Sequence, residues 1–196
     1  MLILVGLLSY LIGSIPFSYL IPKWIGKIDI RLHGSGNTGT TNVVRTLGMK
    51  VGVLAFIGDF LKGLIPTLIG LIWFGEIGGI TGALLSVIGH CYPVWLKFKG
   101  GKGVATSAGV MLVLLPDLFV MLLLVQFAVI FLTRYMSLAS IISACLLPVL
   151  SFVFSKSMPL LAFSIALGLF VIYRHRSNLK RLIQGTESKL GKKPKL

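Results

Sequence analysis

The chain has 196 residues, of which 56% are hydrophobic and only 12% charged, with a mean hydropathy of +0.96. A soluble domain usually carries about 25% charged residues, and a chain of this size has too little interior to hide so much apolar surface. That excludes a soluble globular fold and requires apolar surface to face lipid, in one membrane domain over 1–196. The net charge of +14 is scattered between apolar runs rather than along one face; this argues against nucleic acid and for anionic headgroups or phosphate-bearing substrates.

The first apolar run is Met1 to Pro22, about 33 Å as a helix and long enough to cross a bilayer. It has no basic start and no Ala-x-Ala cleavage site, so a retained helix is expected, not a signal peptide. Further runs are Val51 to Phe74, Ile77 to Leu96, Val104 to Leu115, Leu118 to Thr133, Met136 to Phe154 and Met158 to Tyr173. Pro116 and Asp117 argue for a turn between the short fourth run and the fifth. With the N-terminus outside, seven helices place every basic residue on the inner side except Lys156, which falls outside, and Lys62, which lies within a span. Merging the fourth and fifth runs destroys that partition. The expected fold is therefore all-α, with seven transmembrane helices, an outer N-terminus and a cytoplasmic C-terminus. Polar loops and short re-entrant or interfacial segments would lie on the cytoplasmic face. The extreme tail, about 188–196, is basic and reads as a flexible surface segment.

Three polar segments fall on the expected inner face. The first runs from His33 to Asn42 and is followed by Arg45. Gly34, Gly36 and Gly39 let backbone N–H groups turn toward an anion. Ser35, Asn37, Thr38, Thr40, Thr41 and Asn42 add side-chain donors. The segment then enters a helix, whose N-terminus favours phosphate, and Arg45 supplies a bidentate clamp. No Gly-Lys-Ser/Thr follows the glycines, so it is not a Walker loop. The second segment runs from Gly89 to Thr106, where Gly100, Gly101 and Gly103 surround Lys102. It reads either as a second phosphate cradle, with Lys97 and Lys102 as point charges, or as an inner loop whose lysines obey topology alone. His90 reads more readily as a hydrogen-bonded interfacial residue than as a catalyst. The third segment is Arg174 to Glu187. If helical, it sets His175 and Asn178 on one face with Arg174 and Arg181; an amphipathic lipid-binding helix is the alternative. Asp59 and Lys62 lie three apart within the second run, either as functional groups or as a salt bridge that orders the helix, and belong to a supporting shell.

Absent motifs narrow the chemistry. Cys91 and Cys145 have no second cysteine or histidine at ligand spacing, so no metal site is expected. The residues five positions after His33, His90 and His175 are Thr38, Trp95 and Lys180, so the His-x4-Asp signature of thioester-using glycerolipid acyltransferases is missing. No Gly-x-Ser-x-Gly elbow occurs either.

Taken together, Gly13 to Ser18, Gly34 to Asn42 with Arg45, Gly89-His90 with Lys97 to Thr106, and Arg174 to Asn178 with Gly185 to Glu187 closely resemble the motifs of the bacterial acyl-phosphate-dependent glycerol-3-phosphate acyltransferases, over nearly the whole chain. The resemblance implies transfer of a fatty acyl group from acyl phosphate to the 1-hydroxyl of glycerol 3-phosphate in the bacterial inner membrane. Lysophosphatidic acid and phosphate would be the products, without coenzyme A, cofactor or metal. It implies that Ser35 and Arg45 are active-site residues, that the second loop holds the glycerol 3-phosphate phosphate, that His175 and Asn178 assist the reaction, and that Glu187 holds the structure together. The competing class is a membrane transporter for a phosphate-bearing solute. A transporter should place ionisable groups near the bilayer midplane, whereas the polar motifs here cluster at one face.

Overall fold

The computed structural model describes residues 1–191; the part of the basic tail from 192 onward lies outside the described residues. Those residues form nine α-helices and two short 3-10 turns, with no strand among them. They divide into two compact units, Met1–Val113 and a second that begins at Leu114.

In the first unit, α1 (Leu2–Gly13) and α2 (Phe17–Ile25) replace the single helix expected over Met1 to Pro22. The break falls at Ser14–Pro16, because Pro16 has no N–H to continue a helical ladder. A short α3 (Thr40–Leu47) follows the first polar loop. The long α4 (Met49–Cys91) carries non-helical backbone at Phe74 and Gly75, the latter at φ +63°. There it folds back on itself. A methyl group on Gly70 would run into the Gly78 carbonyl, and one on Gly82 would run into the Pro66 carbonyl. The two arms are thus antiparallel and touch backbone to backbone, the usual way helices associate in lipid through small residues. These arms match the two runs expected on either side of this turn. The second arm stops at Cys91, earlier than Leu96, where Pro93 and a 3-10 turn (Val94–Leu96) take over. Helix α1 packs against α4. Gly13 and Gly89 leave no room for a Cβ, since Gly13 faces the Ser86 backbone and Gly89 the Tyr10 carbonyl. Helix α5 (Val104–Leu114) is about 17 Å long, shorter than the roughly 30 Å hydrocarbon core that the fourth run was expected to cross as one of seven spans.

In the second unit, α6 (Pro116–Thr133), α7 (Met136–Val153) and α8 (Met158–Arg174) run up and down in succession. Pro116 sits at the first turn of α6, where its missing N–H costs nothing. Lys156, between α7 and α8, pairs with Asp117 at the start of α6 at 2.6 Å. Polar side chains inside the bundle satisfy one another: Ser151 and Ser164 lie 2.7 Å apart, and Ser143 donates to Gln126 at 3.1 Å. Helix α9 (Arg176–Ile183) turns away from α8 by 59° at His175.

Leu2–Ile25, Pro116–Thr133 and Met136–Val153 are each long and apolar enough to cross a membrane, as is folded α4, and the bent α8–α9 pair qualifies as one more.

Candidate functional site

The first polar loop is organised by Asn42, which is 2% exposed. Its side-chain N–H group donates to the carbonyls of Ile30 (3.2 Å), His33 (2.9 Å) and Asn37 (3.1 Å). Its side-chain oxygen accepts from the Ser35 backbone N–H at 2.9 Å. The expectation that Asn42 offers a donor to phosphate is therefore corrected: its amide closes the loop from within. A Cβ on Gly34 would strike that amide oxygen, and Gly34 (φ +59°) and Gly36 (φ +69°) are both left-handed. Ser35 rides exposed on this turn with Gly34 and Gly36, while Asn37, Gly39, Thr41 and Arg45 are half-buried. Thr41 and Arg45 stand one turn apart on α3, so they share a face. Just before the loop, Arg31 pairs with Asp29 at 2.6 Å and stacks 4.9 Å from the Tyr19 ring. The Arg31 hydrogen bond holds the Asp29 carboxyl at about 2.

The second loop lies directly on the first. A Cβ on Gly101 would meet His90 Nε2 and the Thr38 carbonyl, and one on Gly100 would meet the His90 carbonyl and the Pro93 ring. Gly103 has φ +86° and faces Cys91. Gly101 and Gly103 are buried, Gly100 and Lys102 half-buried, and Lys97 is exposed. As a phosphate cradle, these glycines would let an anion approach the backbone. The structure adds that Gly101 is a glycine because the loop rests on the protein's own atoms.

Beneath both loops sits a buried cluster around Asp59. Its carboxylate pairs with Lys62 at 2.7 Å, accepts from the Ser18 hydroxyl at 2.5 Å, and lies 3.6 Å from His90 Nδ1. Lys62 also donates to the Ile15 carbonyl at 2.7 Å, which the break between α1 and α2 leaves outside any helix. The Thr106 hydroxyl donates to the Asp59 carbonyl at 2.9 Å. Asp59 and Lys62 side chains are 1% and 2% exposed. Asp59 and Lys62 thus pair, and the cluster joins α2, both arms of α4 and the start of α5. His90 is the link: one ring nitrogen faces Asp59, and the other faces Gly101. Sequence reasoning left out Ser18 as a site residue, although it closes the Gly13–Ser18 motif.

In the second unit, the third segment is helical from Arg176, but the 59° bend at His175 leaves Arg174 on α8 instead of on one continuous helical face with Asn178 and Arg181; His175 and Asn178 are 3% and 4% exposed. His175 Nδ1 contacts the Val171 carbonyl at 2.8 Å. Nδ1 therefore carries a proton, and Nε2 is the acceptor of the neutral ring. Asn178 donates to Glu187 at 2.8 Å, as does Ser137 of α7, and Arg181 pairs with the other carboxylate oxygen at 2.7 Å. Burial raises the Glu187 pKa, but hydrogen bonds from Asn178, Ser137 and Arg181 together with the Arg181 charge outweigh it, and the carboxyl stays below its ordinary value. Arg174 is half-buried at the end of α8. Beyond Glu187, the Leu190 N–H donates to the Arg134 carbonyl and Lys189 lies 5.3 Å from the Tyr135 ring, tying residues 189–190 to the α6–α7 turn. Among the described residues no group of three His, Cys, Asp or Glu could hold a metal ion.

Comparison with known proteins bears on the chemistry. The family model "Glycerol-3-phosphate acyltransferase" matches residues 3–185. The chain is 49% identical to the glycerol-3-phosphate acyltransferase of Syntrophomonas wolfei over 183 residues, covering 93% of this chain and 94% of that one. It is 44% identical to that of Bacillus subtilis over 184 residues, covering 94% and 95%. The fold is similar to a crystal structure of PlsY (YgiH), an integral membrane glycerol 3-phosphate acyltransferase, in its glycerol 3-phosphate form. The TM-score is 0.93 at 43% identity, over 97% of this chain and 96% of that one. Its lysophosphatidic acid form gives 0.90 at 42%, over 97% and 95%.

Proposed function

The chain belongs to the glycerol-3-phosphate acyltransferase family, and from that premise we propose that its acyl donor is acyl phosphate and its acceptor the 1-hydroxyl of glycerol 3-phosphate. The products are lysophosphatidic acid and phosphate, the first step of phospholipid synthesis. The protein sits in the bacterial inner membrane as one seven-span domain, with its N-terminus outside and its polar loops facing the cytoplasm. Membership of an enzyme family displaces the transporter reading.

The observation that carries the proposal is the meeting of two Gly-bearing loops at Thr38, Gly101 and His90, over one buried cluster. One loop leads into Arg45, and the other surrounds Lys102. Both proposed substrates carry phosphate, and the donor's acyl chain stays in lipid. Arg45 and Lys102 hold phosphate, with the loops' N–H groups in support. Ser35 orients the attacking hydroxyl, and His175 and Asn178 assist the reaction, as the family resemblance implies. An acyl phosphate is a mixed anhydride with phosphate as its leaving group, so it needs less activation than an ester. The hydroxyl oxygen forms the new ester bond, the carbonyl–phosphate bond breaks, and the proton passes to the departing phosphate, which grows more basic toward a second pKa of about 6. His175 Nε2 is the alternative acceptor.

The test uses purified protein in detergent, without a vesicle compartment. Phosphate and lysophosphatidic acid should form in equal amounts from acyl phosphate and glycerol 3-phosphate, and acyl-coenzyme A should not replace the donor. Equal turnover with the thioester would overturn the donor assignment.

A further inference from the structure

We propose that the turn over residues 93–99 is a membrane-surface anchor for the second loop and that it binds the anionic phospholipid headgroups of the bilayer around it. Four backbone bonds close this turn into a knob: Leu96 and Phe98 N–H to the Pro93 carbonyl, Lys97 N–H to Val94, and Lys99 N–H to Leu96. A fifth, from Gly100 N–H to the Cys91 carbonyl at 3.2 Å, ties it to the end of α4. Pro93 and Leu96 point inward and are buried. Trp95 and Phe98 point outward, 63% and 59% exposed, with Val94 at 39%. Lys97 and Lys99 lie exposed beside them.

Three features separate this knob from the ordinary apolar flank of a membrane helix. It lies in a polar loop, beyond the end of α4. Its exposed groups are a tryptophan and a phenylalanine interleaved with lysines, the composition that settles at the headgroup level rather than in hydrocarbon. Finally, Lys97 (φ +51°) and Phe98 (φ +61°) are consecutive left-handed residues, neither of them glycine. L-residues adopt that conformation only when their surroundings hold them there. Here it turns an apolar ring and a cation out to the same exposed surface. Helix α2 ends in the same way, with Trp24 62% and Ile25 55% exposed between Lys23 and Lys27. Each lysine near an anionic surface is favoured roughly fivefold over its place in bulk water, so charge selects the headgroup while the rings set the depth.

The consequence for function rests on the acyltransferase reading above. The knob runs without a break into Gly100–Gly103, which rests on His90 and Thr38. Anchoring it holds the glycine loop in register, so the membrane surface tunes glycerol 3-phosphate capture.

Two measurements separate the anchor from that reading. The first follows Trp95 alone, in full-length protein carrying Trp24→Phe and Trp73→Phe, reconstituted in bilayers with bromine at graded depths. Trp95 should be quenched most by bromines near the headgroup, and more in phosphatidylglycerol than in phosphatidylcholine, with high salt removing the difference. Lys99→Gln should lower the difference several-fold. Quenching that is equal in the two lipids, or weak at every depth, overturns the proposal whether or not the protein is an acyltransferase. The second measures the KM for glycerol 3-phosphate in the Phe98→Ser, Lys99→Gln variant. Relative to wild type it should stay near one in detergent and rise about threefold or more in anionic bilayers. An unchanged ratio in bilayers, with a normal rate, overturns the coupling. No turnover in wild type overturns the acyltransferase reading and leaves the first measurement to decide on the anchor.

Discussion

Each unit of the molecule gathers its polar loop around one buried carboxylate, and the two do it differently. Asp59 lies inside a helix and is held by charged and neutral groups from both arms of α4 and from α2; its partner Lys62 is as buried as it is. Glu187 lies beyond α9, outside any helix. It draws in Ser137, Asn178 and Arg181, the last of which is 40% exposed. The first arrangement locks a floor on which two loops rest. The second clips the short helix α9 onto a bundle. A buried pair is destabilising to break because one charge is left behind, whereas a partly exposed pair is screened by water.

That contrast yields a ranking. Asp59→Asn leaves the Lys62 ammonium buried opposite a neutral group and should cost about 3–5 kcal/mol, read as thermal unfolding in detergent. Asp59→Asn combined with Lys62→Met should recover much of the loss, since no charge then remains buried. Failure of that rescue would show that Asp59 matters through Ser18 or His90 instead. Glu187→Gln keeps the shape, loses the acceptor charge, and should cost about 1–3 kcal/mol, most visibly as faster proteolysis beyond Ile183. Its pH dependence has a definite sign. The folded pKa lies below the ordinary 4.5. The stabilisation is therefore present above about pH 4.5, and it is lost as pH falls through the depressed folded value. The glutamine variant should lack that acid-side loss. A Glu187→Gln penalty as large as that of Asp59→Asn would erase the distinction between the two units.

The loops sharpen the comparison further. Gly101→Ala pushes a methyl group into His90 Nε2 and the Thr38 carbonyl. The loop must shift, and the KM for glycerol 3-phosphate should rise on the order of tenfold or more. Adding His90→Ala removes one of the two collisions and should restore part of that rise. No restoration would return Gly101 to the simpler role of admitting an anion to the backbone. Arg45→Lys keeps the charge but loses the planar fork, and kcat/KM should fall about tenfold. A wild-type rate there would mean that charge alone suffices.

How far these features were legible follows from the kind of signal each leaves. The turn at Gly75 was readable, because Gly75, Gly78 and Gly79 interrupt an apolar run beside Glu76. The short α5 was readable from the Pro116 that ends it. The break at Ser14–Pro16 was passed over because the flanking residues stay apolar, although Pro16 marks it. Asp59 and Lys62 showed as a pair because a helix brings residues three apart together. His90 did not show as their neighbour, since it lies on the other arm and only the fold of α4 joins them. Asn42 misled for a different reason. An amide beside glycines looks the same in sequence whether it faces a phosphate or its own loop's carbonyls, and here three carbonyls claim it.

The smallest expected effect falls on His175, and it decides the route of the proton. Nδ1 is engaged with the Val171 carbonyl at 2.8 Å, so the neutral ring presents Nε2 as its acceptor. That environment suits a base, but it suits equally a group that only accepts a hydrogen bond from the attacking hydroxyl. Glutamine separates the two, because it can still accept through its amide oxygen and has no basic nitrogen. If the departing phosphate takes the proton, His175→Gln should keep kcat within about tenfold of wild type, since only alignment is disturbed. If His175 is the general base, the loss should be about a hundredfold or more. The acid limb of the kcat–pH profile adds a second readout: in the substrate-assisted route it belongs to the donor phosphate and should persist in the glutamine variant. A fall of kcat to background, with glycerol 3-phosphate binding and thermal stability intact, would assign the proton to His175.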